Sequence, residues 1–536
     1  HNTRRFDIAA TVGWTGRYEN MNNMRVSTNG GLVTENWFDL NASRYTPSST
    51  LQRMELLKTG YMGTLSLGWD NYLFLELTGR QERSSTLKDQ SFFYPSANLS
   101  FLFTQAFHMP SWWNYGKLRL SYGIVGNAPE TYTANIVYEQ GSDNGFTWNT
   151  IPSSWGNADI RPEKKYEYEI GLESKFLNNR LGIDISYYNN RVKDQILSTP
   201  QPSTSGVKNV LMNVGEVANR GWDISISATP ILTRDFRWDL TANYGVYKNK
   251  VVKLADGVPY LEILNSGGSG IKIQAVEGQP MGDIYAQVPQ VNENGEYLVS
   301  DKGLYLNQTE LQKVGNINPA GVGGLFNSFS YKNVFLDFSI DFRIGGDVIN
   351  EMNQYATAVG LTPESLKYRD TEHGGLSYYY PGDNNSSGIP VQVDPSTGAG
   401  PNGEIIYHDG IILPGVVAST GERNTRIIPA GYYYNTTYNW GTEAEQLTYR
   451  HSVFDNSYVK LRELTIGYQF PEKMISKLGL GRLSVSVFGR NLFYFYKALK
   501  NYDAESSVGT SWANQATVGS STTATRSFGV SLRASF

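Results

Sequence analysis

The chain has 536 residues, with 46 Lys and Arg against 50 Asp and Glu, and this formal charge of -4 leaves no basic field to hold nucleic acid. Cysteine is absent and no apolar run reaches about 18 residues, which excludes disulfide frameworks, thiolate metal centres, cysteine nucleophiles and transmembrane helices. Charged residues make up only 18% and aromatics 13%, with 36 Tyr, so a bilayer could be crossed only by strands closed into a barrel. The opening His1-Asn2-Thr3 has neither Met nor an apolar leader, as expected of a mature or truncated chain.

Taken in chain order, period-two alternation predicts about 14 strands, near 5–16, 59–70, 71–83, 92–104, 117–126, 165–177, 180–197, 217–228, 235–251, 322–333, 334–345, 457–470, 481–496 and 526–536. In each, apolar side chains fall on one face and polar ones on the other. Tyr166, Tyr168, Ile170 and Leu172 alternate with Glu167, Glu169 and Glu173, and Leu181, Ile183, Ile185 and Tyr187 with Asp184 and Ser186. Further on, Trp238, Leu240, Ala242 and Tyr244 alternate with Asp239, Thr241 and Asn243. Leu336, Phe338, Ile340, Phe342 and Ile344 do the same with Asp337, Ser339, Asp341 and Arg343.

The connections alternate in length. Short turns at Trp69-Asp70-Asn71, Leu177 to Arg180, Pro230 to Asp235 and Tyr331-Lys332-Asn333 share one rim, and long loops near 18–58, 127–164, 252–321, 346–456 and 497–525 share the other. Two unlike rims and two unlike faces predict a transmembrane antiparallel β-barrel with its apolar face toward outer-membrane lipid. Asp337, Asp341, Arg343, Glu167, Glu169, Asp184 and Asp239 would then line the lumen. The alternative is a soluble β-rich adhesin or propeller, but loop lengths from under ten to over a hundred residues fit no fixed repeat. Trp69, Tyr72, Trp112, Trp113, Trp222, Trp238, Phe470 and the terminal Phe536 lie near strand ends, as interfacial girdles require.

Catalytic chemistry has no visible home. The five histidines are scattered singly, no phosphate loop or nucleophile elbow occurs, and no cofactor is implied, so a non-enzymatic role is expected. Binding chemistry is better represented: Trp148, Trp155, Tyr378, Tyr379, Tyr380, Tyr432, Tyr433, Tyr434 and Trp440 fall in the long loops, where flat rings beside amides suit sugars or peptides, and where packing of loop on loop or against a lid is an equal alternative.

Several segments, in order, resemble the SusC/RagA family of TonB-dependent outer-membrane transporters. They are Leu73 to Arg80, Phe93-Tyr94-Pro95-Ser96, Leu118 to Asn127, Phe176 to Leu181, Asn213 to Gly221, Val276 to Gly282, Val314 to Pro319, Ser457 to Arg462 and Gly489 to Phe493. The resemblance implies a barrel of about 22 strands, of which residues 1–536 would be the C-terminal portion. It also implies a TonB-energised plug domain and first strands outside this chain, either on a separate chain or absent, and a SusD-like lipoprotein lid. The family's activity is import of oligomeric nutrients, glycans or peptides; the alternative is a plugless barrel serving as a scaffold in a larger outer-membrane complex. Two departures stand out. The loop that holds calcium in many members reads Val291-Asn292-Glu293-Asn294-Gly295-Glu296-Tyr297, too poor in carboxylates for a hard cation, so no metal is expected, and the family's Tyr-Asp-Pro-Glu is Tyr502-Asp503-Ala504-Glu505.

Overall fold

The computed structural model describes residues 5–88, 91–143, 145–201, 204, 206–266, 270–382, 388–439, 448–506, 511–519 and 524–535. Fourteen long strands pair antiparallel in chain order: β1 (Phe6–Leu32), β2 (Ser43–Trp69), β3 (Leu73–Ser84), β4 (Ser91–Phe101), β5 (Trp113–Asn127), β6 (Glu163–Phe176), β7 (Leu181–Lys193), β8 (Glu216–Leu232), β9 (Phe236–Lys253), β10 (Gly321–Tyr331), β11 (Val334–Ile344), β12 (Tyr458–Gln469), β13 (Arg482–Lys497) and β14 (Ser527–Ser535). Each expected strand is present. The region 18–58 differs from an irregular loop: β1 and β2 run 27 residues each and pair to the tip of the hairpin. Apolar residues such as Met24 and Leu51 on one face and Met21 and Met54 on the other are mixed with Asn, Ser and Thr, so no clean alternation marks the extension.

The tight turns follow from residues that tolerate left-handed backbone. Asp70 and Asn71 have φ of 47° and 59°, and Asn178 and Asn179 have 57° and 63°, conformations that Asn and Asp adopt more readily than other side chains.

By contacts the chain forms two units, His1–Ile224 with Lys248–Pro259, and Ser225–Tyr247 with Tyr260–Phe536. In the first, register carries one apolar row across seven strands: Ile8, Leu67, Leu75, Leu99, Leu120, Ile170 and Tyr187. The next row, on the opposite face, reads Ala9, Ser66, Glu76, Asn98, Ser121, Glu169 and Tyr188. Because side chains alternate with period two, each row fixes a whole face. An aromatic chain runs along the short-turn ends: Phe6 to Trp69 at 6.4 Å, Trp69 to Tyr72 at 5.5 Å, Tyr72 to Phe101 at 6.1 Å, and Phe103 to Trp113 at 5.3 Å. Such a band suits the membrane–water boundary. Phe536 lies outside the described residues.

The second unit repeats the pattern, with the apolar row Trp238, Phe329, Leu336, Ile466, Val487, Val530 next to the row Asp239, Ser328, Asp337, Thr465, Phe488, Gly529. The apolar rows are not a dry core. Ile170 is 47% exposed, Val487 58% and Val530 71%. Among the described residues, Phe92, Val217, Val251 and Leu461 are the buried apolar side chains that belong to the fourteen strands. A water-soluble sheet would bury such a face; a lipid-facing one leaves it outside.

Candidate functional site

In the second unit the described residues of the long connections 260–320, 345–457 and 498–526 form folded structures with cores of their own. Ile271 and Ile273 on the strand Ile271–Val276 alternate with polar neighbours and pack on Ile284, Ile349, Tyr449 and Ala516. Leu304, Ile411, Leu413 and Ile428 form a second cluster, and Tyr378, Tyr380 and Ile427 a third. Two helices brace them, α1 (Glu351–Ala358), capped where the Asn350 carboxamide oxygen accepts from the Asn353 amide at 3.0 Å, and α2 (Ala430–Tyr438).

These cores take up several of the aromatic residues in loop packing, one of the two readings the sequence left open. Tyr378 is 1% exposed; its hydroxyl donates to Asp409 Oδ1 at 3.0 Å, and its ring stacks on Tyr407 at 5.4 Å and meets Tyr380 edge-on at 5.5 Å. Burial pushes the Tyr378 hydroxyl far above its ordinary range, with Asp409 adding to it. Tyr380 and Tyr434 are buried as well; Tyr434 donates to the Glu364 carbonyl at 2.7 Å, and burial lifts its hydroxyl to about 12. Tyr433 packs on Tyr434 at 5.1 Å, and Tyr438 stacks on His451 at 4.5 Å. These rings help hold the loops together, packing with Leu304, Ile411, Ile427 and Ile428 in the same clusters.

Tyr379 is half-buried on the strand Leu376–Tyr379. Tyr432 is half-buried and lines, with Tyr380, a cavity of about 420 Å³ whose other walls are Lys302, Gly388, Pro390, Arg426, Ile427, Ile428 and Pro429. Trp148, 46% exposed, sits on the separate hairpin Glu139–Asp143/Phe146–Thr150 of the first unit, and Trp155 meets Tyr138 edge-on at 5.8 Å. Trp440 lies outside the described residues.

The polar face of the sheet is laced with ion pairs and hydrogen bonds. Asp184 accepts from Arg119 at 2.6 Å, Glu167 from Asn190 at 3.1 Å and Lys165 at 2.6 Å, and Glu169 lies level with Ser121 and Tyr188. Asp239 accepts from Thr229 at 2.7 Å and Arg237 at 2.6 Å, and Asp337 from Ser328 at 2.6 Å. Arg343 braces the loops instead, donating to the Ile317 carbonyl at 3.0 Å and the Gly345 carbonyl at 3.2 Å.

One cluster was not expected. Glu505, in the connection between β13 and β14, accepts from Lys460 Nζ at 2.6 Å and Arg462 Nη1 at 2.8 Å, and Arg462 Nε also donates to Asp341 at 3.0 Å. The Lys460 side chain is only 2% exposed and its ammonium lies 4.7 Å from the Tyr494 ring centre. Asp503 accepts from Tyr494 at 2.8 Å, and Asn456 donates to the Ala504 carbonyl at 2.9 Å, so Tyr502-Asp503-Ala504-Glu505 is pinned to β12 and β13. Burial alone would raise the Glu505 carboxyl, but the bonds from Arg462 and Lys460 outweigh it and bring it down to about 2. The altered calcium segment is a turn around Asn292, whose Oδ1 accepts from the amides of Asn294 at 3.0 Å and Glu296 at 2.9 Å.

Comparison with known proteins places this geometry. A model of the TonB-dependent receptor-like β-barrel matches residues 2–281. TonB-dependent receptor P3 of Formosa agariphila is 24% identical over 494 residues, 84% of this chain and 42% of the relative. SusC of Bacteroides thetaiotaomicron is 30% identical over 247 residues, 42% of this chain and 24% of its own length. Among solved structures, the RagAB peptide transporter superposes with a TM-score of 0.68 at 17% identity, over 94% of this chain and 51% of the matched one. The chain thus spans less than half the length of these curated relatives and about half of the matched structure.

Proposed function

The chain belongs to the TonB-dependent receptor-like β-barrel family of the outer membrane, and from that premise we propose that it supplies the wall and outer loops of a SusC-like importer of oligomeric nutrients, glycans or peptides. Its place is the C-terminal portion of the barrel, with the loops near 18–58, 127–164, 252–321, 346–456 and 497–525 facing outward. The remaining barrel strands and a plug coupled to TonB complete the importer, and a SusD-like surface lipoprotein closes the outer mouth.

The observation that carries this reading is the pair of unlike rows. A lipid-exposed apolar row beside a row of Glu76, Asn98, Ser121 and Glu169 makes a wall that is greasy outside and wettable inside. Paired charges such as Arg119 with Asp184 keep that inner face soluble without fixing a strong field of one sign, which suits passage of uncharged or mixed oligomers. No chemical step is needed: ligand is held among the loops and released inward when the plug rearranges, and the wall residues only solvate the path.

The test is uptake. Cells lacking the gene should lose growth on, and uptake of, particular fluorescent oligosaccharides or peptides from a broad panel, and regain it on complementation; a purified complex should carry the lipoprotein. Unchanged uptake of every panel member, with loss of other outer-membrane proteins, would replace import by a scaffold role.

A further inference from the structure

A second cavity, of about 400 Å³, lies between the end of α1, the helical turn Pro363–Leu366 and the start of α2, and falls within the range of about 300–1,000 Å³ expected of small-ligand pockets. Its lining residues, all in the second unit, include one cation, Arg369, and one carboxylate, Asp409.

Arg369 is held by neutral groups. Its Nε donates to the Ser365 carbonyl at 2.8 Å and its Nη2 to the Gly360 carbonyl at 3.2 Å, just past the end of α1, where the Leu361 amide reaches back to the Ala356 carbonyl at 2.8 Å. Gly360 has a φ of +84°, and a Cβ there would lie 2.5 Å from Nη2, so glycine is what lets the guanidinium lie against this turn. Both bonds use the side-on edge of the fork and neither acceptor carries a charge, which leaves the Nη1–Nη2 edge and the positive charge for an outside acceptor. Asp409 is half-buried beside the start of α2, since its neighbour Gly410 pairs with Pro429, and its Oδ1 accepts from the Tyr378 hydroxyl at 3.0 Å.

The walls choose between ligand classes. One charge of each sign leaves no net field to draw a polyanionic glycan. Tyr434 is the only ring among the described lining residues; it is 7% exposed and its hydroxyl is spent on the Glu364 carbonyl, so no open flat face is offered to a pyranose. Ala358, Val359 and Ala430 supply an apolar wall for a small side chain, and Asn435 adds a carboxamide that can bond a peptide group.

We propose that this pocket binds a short zwitterionic peptide, with its C-terminal carboxylate on the Nη1–Nη2 edge of Arg369 and its ammonium drawn to Asp409. The proposal rests on the importer reading and names peptides as its substrate class.

The experiment screens free di- and tripeptides against the detergent-solubilised complex containing the full chain. Calorimetric titration follows with the best binder, with the C-terminal amide and the N-acetyl form of the same sequence, and with maltotriose and trigalacturonate. The free peptide should bind at least about tenfold tighter than its amide or either trisaccharide, and Arg369→Gln should remove the margin over the amide. Arg369→Lys, which keeps the charge but loses the fork, should keep part of that margin. N-acetylation should cost at least about threefold. Because Arg369 also braces the end of α1, Gly431→Leu is the independent variant: Gly431 lies on the pocket wall within α2, and a Cβ there meets no atom within 4 Å. The added side chain should occupy the pocket, weaken peptide binding by at least about tenfold and leave the melting temperature no lower. No peptide bound, equal affinity for the amide or the acetylated form, preference for either trisaccharide, or unchanged affinity in Gly431→Leu overturns the proposal. Uptake of glycans but not peptides by wild-type cells, or of peptides by wild-type and Gly431→Leu strains alike, would leave import standing while the pocket assignment fell; uptake of nothing would remove import itself.

Discussion

Replacing Glu505 by Gln removes the carboxylate that meets Lys460 at 2.6 Å and Arg462 at 2.8 Å, and leaves an ammonium only 2% exposed with the Tyr494 ring at 4.7 Å. Glu505 has its carboxyl lowered from an ordinary value near 4.5 to about 2, which at about 1.4 kcal/mol for each pH unit corresponds to about 3 kcal/mol. Its side chain is 32% exposed, so solvent screening reduces this to about 2 kcal/mol. That is about a 30-fold increase in the opening of the segment that Glu505 ties down. Hydrogen exchange of residues 498–506 in the solubilised protein measures it directly, and Glu505→Gln should speed exchange there by about that factor while β12 stays protected. The pH dependence follows from the same pair. A carboxyl lowered on folding contributes stability that is full above pH 4.5 and is lost as pH falls toward 2, so the wild-type segment should loosen across that window and Glu505→Gln should not. A change below about threefold in the variant would refute the reasoning, since a pair so enclosed cannot be broken at so small a cost.

Further outcomes follow from the loop cores and the wall. Burial holds the His451 imidazole down to about 4, with Arg450 adding to it, so the folded state binds its proton later than the unfolded one. Stability of the α2 region should be full above pH 6.5 and fall as pH drops toward 4, a dependence that His451→Gln removes and that hydrogen exchange of residues 430–438 reads. Tyr378→Phe deletes the bond to Asp409 and should cost about 1 kcal/mol in thermal stability. Leu120→Arg, on the exposed apolar row, should cost about 2–4 kcal/mol in barrel folding, whereas Ser121→Arg on the other face should cost far less; urea titration in lipid separates them.

The strands were legible because alternation is a local property: Tyr166 to Leu172 states its two faces without reference to any neighbour. Ends were less so. The arms of β1 and β2 beyond Arg17 and Lys58 mix polar and apolar residues on both sides, and only pairings such as Asn22 with Arg53 and Arg25 with Thr50 make them strands. The loops hid most of what matters to function. Tyr378 and Tyr380 read equally as stacking surface or as loop packing, because a sequence does not say that Ile427, nearly fifty residues on, packs against them. Tyr502-Asp503-Ala504-Glu505 was visible as a motif, but not the pairing of Glu505, since its partners Lys460 and Arg462 lie 45 and 43 residues away. A signal for the loop cores was present in the period-two run Ile271-Lys272-Ile273-Gln274-Ala275, whose alternation matches that of a half-buried strand.

The central claim, that the apolar rows meet lipid and the polar rows meet water, is tested most directly by nitroxide side chains in a protein that has no native cysteine. With single cysteines at Leu120 and Ile170 and at Ser121 and Glu169, in bilayers, the first pair should collide preferentially with dissolved oxygen and the second with a water-soluble nickel chelate. The reverse pattern, with nickel reaching Leu120 and Ile170 while Ser121 and Glu169 see only oxygen, would contradict the account.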